Sequence, residues 1–224
     1  SLSKMNQLFF LFFPTILILL MGFLFDNLYH TTIISSYDFY GVTMIFFIAM
    51  MGATVPANAF LEKHIKNGNT RIFYSPVSRV SIYSSKILTC FLFMALALTI
   101  NIIIFDTISL VNFGSDKIGY VILLIINFVL FLTILSSAIC VTLHSEELTN
   151  VILSNSMSVL GFLSGIFFPI ASLGAIFEKI ASFSPIKWTV DCIFQLIYDG
   201  QSTNYWWIMF ALFDTIFTFT TCCP

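Results

Sequence analysis

Six long apolar stretches, residues 8–25, 39–61, 82–105, 118–143, 151–168 and 205–223, are set off from one another by polar, charged or Pro/Gly residues. A helix needs about 20 mostly apolar residues to cross the roughly 30 Å of hydrocarbon in a bilayer. Each stretch is of that order, and each is too long and too evenly apolar for the alternating strands of a membrane barrel. In lipid every backbone N–H and C=O must find a partner within the protein. Runs rich in Phe and Ile are therefore held to helix despite their weak intrinsic propensity. The expectation is an all-α polytopic membrane protein, a single transmembrane domain over residues 1–224 with six transmembrane helices, in which Pro14 and Pro56 mark kinks or first turns. The first stretch reads as a retained span, because no small-residue cleavage pattern follows it. Composition agrees: 58% of the side chains are apolar and 9% charged, with a mean hydropathy of +0.99, whereas a soluble domain carries about a quarter charged residues.

An even number of spans puts both termini on one side, and the distribution of Lys and Arg chooses the side. Lys4, Lys63, Lys66, Arg71, Arg79 and Lys86 fall on the terminal side, against Lys117, Lys179 and Lys187 opposite. Both termini are expected in the cytoplasm, with the protein in the plasma membrane as a multi-pass chain. The net charge of −2 lacks the basic excess that nucleic acid requires, which removes DNA and RNA as partners.

Enzyme chemistry finds no constellation. His30, His64 and His144 sit at separate span ends, and neither H-E-x-x-H nor G-x-S-x-G occurs, so no catalytic or metal-ligating residues are assigned. Cys90, Cys140, Cys192, Cys222 and Cys223 form no C-x-x-C pattern and read as small apolar fillers. A phosphate-cradling G-x-x-x-x-G-K-[ST] is also absent, so work driven by ATP needs a second subunit.

Two longer connections carry the remaining information. The first, residues 62–81 on the cytoplasmic side, alternates charges with Ile65, Ile72, Phe73 and Tyr74. Apolar knobs can fill a partner's cleft while charges fix register. The same composition also suits a snorkelling juxtamembrane loop. The second, residues 169–204 on the outer side, is punctuated by Pro169 and Pro185 and contains an apolar segment too short to span, as a re-entrant or interfacial helix is. Trp188 suits an interface anchor.

The inner segment holds Glu62, Gly68, Thr70, Arg71, Ser75-Pro76-Val77-Ser78 and then Lys86 in the third span. The outer one holds Ser164-Gly165-Ile166-Phe167-Phe168-Pro169, followed by Ser184-Pro185 and Trp188. In their order and spacing these resemble the membrane-spanning permease subunits of type-2 ABC exporters, although Asn69 separates Gly68 from Thr70 where that family has an adjacent pair. The resemblance implies a cytoplasmic coupling helix over 62–78 that rests in a groove of an ATP-binding cassette subunit, with Glu62, Lys66, Gly68, Thr70, Arg71, Tyr74, Ser75, Pro76 and Ser78 as the coupling residues. It implies two short outer-face helices and an outer gate at Ser164, Gly165, Phe168, Pro169, Pro185 and Trp188. It further implies that the chain pairs with a second permease half, a homodimer being expected, and that ATP and Mg are bound by the partner subunit.

Within the spans, Asn58, Asn101, Asn127 and Asp214 are the costly polar groups. Each is either a helix-packing residue or part of a substrate path. An ionised carboxylate at mid-bilayer is penalised by about 2.5–3.5 kcal/mol on insertion scales, which marks Asp214 as a functional candidate. Phe-rich spans with little intramembrane charge point to an exporter of an amphipathic or hydrophobic drug, lipid-like molecule or peptide. The rival readings are an ion-coupled secondary transporter using Asp214 and a structural membrane subunit with no transport role.

Overall fold

The computed structural model describes residues 4–26, 35–61, 79–114, 117–143, 145–167, 179, 181, 184–199 and 203–222. Among them the regular structure is entirely helical. In chain order the helices are α1 (Lys4–Leu24), α2 (Ser36–Met51), α3 (Thr54–Leu61), α4 (Arg79–Thr107), α5 (Ile118–Leu143), α6 (Glu146–Leu163), α7 (Pro185–Phe194) and α8 (Thr203–Cys222). Helix thus lies over every one of the six apolar stretches. By length and composition, three segments among the described residues are long and apolar enough to cross a membrane: Ser36–Ala59, Ser84–Thr107 and Ile118–Leu143.

The second stretch forms the centre. Of its most apolar window 78% is buried in the bundle, against 39% and 44% for the other two. Helix α2 is apolar on all sides, as a helix surrounded by others must be. Its Met44, Ile45, Phe46 and Ile48 are fully enclosed, and Phe46 meets Phe128 of α5 edge-on at 5.1 Å. Helix α1 packs on α2 and α4, α5 lies against α2, α3, α4, α6 and α8, and α8 closes the far side against α5 and α7.

The same stretch is broken midway. Gly52 and Ala53 form a turn between α2 and α3, and the Thr54 hydroxyl donates to the Met51 carbonyl at 3.1 Å. Pro56 in the first turn of α3 has no N–H for the Gly52 carbonyl, which is taken instead by the Val55 N–H at 3.0 Å. Met94 of α4 lies directly over Gly52, in the space a Cβ would need. Pro14, by contrast, sits inside α1 without ending it.

The fifth stretch is displaced from the expected 151–168. Helix α6 starts at Glu146, just after Ser145 in extended conformation, and ends at Leu163. Gly165 follows with φ 77°, a left-handed conformation that stops the helix while the sequence stays apolar.

Candidate functional site

Glu62, Lys66, Gly68, Thr70, Arg71, Tyr74, Ser75, Pro76 and Ser78 lie outside the described residues. The helices from which that segment departs and to which it returns are α3 and α4. The last turn of α3 is fastened twice. Lys86 Nζ of α4 donates to the Ala59 carbonyl at 3.2 Å, one of the end carbonyls a helix cannot satisfy internally. Asn150 Nδ2 of α6 donates to Asn58 Oδ1 at 2.7 Å. Asn58 thus has an inter-helix partner, which the sequence did not reveal because Asn150 is 92 residues away, just ahead of the fifth stretch.

The second set gathers at the far end of α6. Ser164 is buried just beyond α6, and its hydroxyl reaches that of buried Ser184 at 3.3 Å. This places Ser164 and Gly165 beside the start of α7, where Pro185 occupies the first turn, a position whose N–H has no helical partner. Trp188 is half-exposed one turn further on. Phe168 and Pro169 fall outside the described residues. Tyr40 of α2 is buried and donates to the Phe167 carbonyl at 3.1 Å, tying the end of the fifth stretch to the bundle centre.

A second cluster at this end was not singled out from sequence. Asp38, in the first turn of α2, accepts from the Asn112 backbone N–H at 2.6 Å and from the Tyr198 hydroxyl at 3.2 Å. Phe39 stacks on Phe194 at 5.6 Å and 16°, and Phe194 on Tyr198 at 6.3 Å and 19°. Tyr198 belongs to a π-helical turn, Gln195–Asp199, that continues α7. From the residue just before α5, Lys117 Nζ donates to the Leu196 carbonyl of the same turn at 3.3 Å. Burial, then the adjacent Asp38 carboxylate, push the Tyr198 hydroxyl well above its usual range, so it stays protonated and remains a donor.

The family described as ABC-2 family transporter protein matches residues 30–221. The chain belongs to that family. No curated protein and no solved structure gave a significant match. The family match begins after α1 and runs through the rest of this ABC-2 bundle, so it includes both the Asp38 cluster and the inner segment.

The remaining polar residues of the ABC-2 chain are placed as follows. Asn101 is buried in α4, where its Nδ2 donates to Ala97 O at 2.8 Å and Leu11 O at 3.4 Å, and its Oδ1 accepts from the Thr15 hydroxyl at 3.0 Å. It joins α4 to α1. Asn127 of α5 donates to the Met209 carbonyl of α8 at 3.3 Å. Asp214 is exposed, on the side of α8 that also presents Trp207 and Phe210 away from the bundle. Among the described residues, no three His, Cys, Asp or Glu side chains gather as metal ligands do.

Proposed function

We propose that this chain is the permease half of an ATP-driven exporter in the plasma membrane, crossing it six times with both termini in the cytoplasm. Two copies flank a central path, and each engages a cytosolic ATP-binding cassette subunit that binds ATP and Mg. The observation that carries this reading is the ABC-2 match over 30–221. The chain supplies no nucleotide motif of its own, so hydrolysis belongs to the partner. Wide Phe-rich faces suit a drug-like, lipid-like or peptide substrate rather than a small ion.

The geometry supports a route for the stroke. Closure of the ATP-binding subunits displaces the coupling segment 62–78. The next rigid piece is α3, which the turn at Gly52–Ala53 separates from α2. Because α3 is bonded to α4 through Lys86 and to α6 through Asn150, the displacement moves the inner ends of three helices together. The outer ends then part, and substrate leaves at the outer face, past Ser164, Gly165 and Trp188. Asp214, which points away from the bundle, has no part in this route.

The test is reconstitution in liposomes with its ATP-binding cassette subunit, using a fluorescent lipophilic dye as probe. Efflux that needs ATP and survives collapse of the proton gradient is expected. Efflux that stops on that collapse with ATP present removes the reading in favour of an ion-coupled carrier.

A further inference from the structure

Three chain segments far apart in sequence meet at one carboxylate on the outer end. Asp38 lies in the first turn of α2, Asn112 lies in the turn between α4 and α5, and Tyr198 lies in the π-helical turn after α7. Helix α7 is ten residues long, too short to cross a bilayer. It runs across the bundle end, lying against both α2 and α8. The Tyr198–Asp38 hydrogen bond and the Phe39–Phe194–Tyr198 stack join it to α2.

We propose that Asp38 is the catch of an outer latch that holds α7 over the mouth of the export path, and that the path opens outward only when Tyr198 leaves Asp38 and Phe194 slides off Phe39. This rests on the export reading and adds the residues that keep the outer end shut. Two observations support it beyond the contacts themselves. The π-helical turn is an uncommon geometry that recurs at functional sites, and here it carries the residue that reaches the catch. The contacts also divide cleanly into two sides. Asp38 remains bonded to Asn112 N–H when Tyr198 departs, so its carboxylate keeps a partner, and Lys117, just before α5, still tethers Leu196. Release therefore strands no charge, and α7 swings from a retained attachment instead of detaching.

A native reporter sits beneath the latch. Cys192 of α7 is buried in the closed form, and burial pushes its thiol up to about 11, so it reacts slowly until exposed. The experiment treats the full chain in right-side-out cells with a membrane-impermeant maleimide and reads labelling at Cys192 by peptide mass spectrometry. Tyr198→Phe keeps the ring stack and removes only the donor, and Asp38→Asn weakens the acceptor. Each should raise the labelling rate at least about tenfold, the scale of losing one hydrogen bond to a charged group. Asp106→Asn, which removes an acid outside the latch, should leave it unchanged. Equal rates in wild type, Tyr198→Phe and Asp38→Asn overturn the latch and leave the export reading standing. Labelling of Cys192 only from the cytoplasmic side overturns the topology, and both readings fall with it. Should Asp38→Asn fail to fold, Tyr198→Phe alone decides.

Discussion

Asn101 makes three hydrogen bonds inside the bundle, two of them to α1. Interhelical bonds of this kind contribute about 0.6 kcal/mol each on average in membranes, with some near 1.7. Asn101→Ala also leaves the Thr15 hydroxyl without its acceptor, so a loss of about 1–2 kcal/mol is expected in detergent unfolding. An unchanged unfolding midpoint would refute the attachment of α1 to α4. Asp214→Asn is the contrasting case, since the carboxylate points outward. ATP-dependent efflux should persist and stability should move by no more than about 1 kcal/mol. If this change abolishes uphill transport while a folded protein still equilibrates substrate downhill, the proton-coupled alternative takes over. The identity of the costly polar residues was legible in sequence, because any Asn or Asp in a long apolar run stands out. Their partners were not, since Asn58 finds Asn150 and Asn101 finds Thr15 only once the helices are arranged. Asp38 escaped notice for the opposite reason, as an acid at a span end is unremarkable until Tyr198 comes to it.

The second stretch reads as one span by hydropathy, and the structure makes it two helices with a turn between. Pro56 was visible as a kink or first-turn residue, and it is the latter. What the sequence did not reveal is that the break falls beside Gly52, where Met94 of α4 occupies the space. Pro56→Ala restores an N–H that can bond to the Gly52 carbonyl and lets α2 run on into α3. Hydrogen exchange over residues 52–56 in nanodiscs should slow by roughly tenfold, and efflux should fall as the joint stiffens. Exchange unchanged from wild type would mean the break is held by packing on Met94 and not by proline. The fifth stretch teaches a related point. Ile166 and Phe167 extend the apolar run beyond Leu163, but Gly165 has already turned the chain, so composition overstates where the helix ends.

At the scale of the molecule, the all-helical architecture followed from six runs that can be nothing else in lipid. The order of packing, with the second stretch at the centre and the sixth at the edge, could not be read from composition, because the most enclosed of the three long runs, Ser36–Ala59, is the least apolar of them. Two measurements address the assembly. A cysteine in place of Tyr74 should cross-link to the ATP-binding cassette subunit in the assembled complex. Failure at every position from 62 to 78 would put the docking surface elsewhere. A cysteine in place of Lys187 should react with impermeant reagent from outside the cell, and reaction from the cytoplasmic side alone would invert the topology.

The separation between Asp38 and Tyr198 also sets an order in time. They are 160 residues apart, so at about 5–20 residues per second the carboxylate precedes its phenol by roughly 8–30 s of synthesis. The α1–α4 attachment needs only the chain up to Asn101, 90 residues beyond Leu11. That attachment is therefore complete while Asp38 still lacks its phenol, and on the latch reading a nascent chain halted before Tyr198 would hold α1 on α4 yet have no means of shutting.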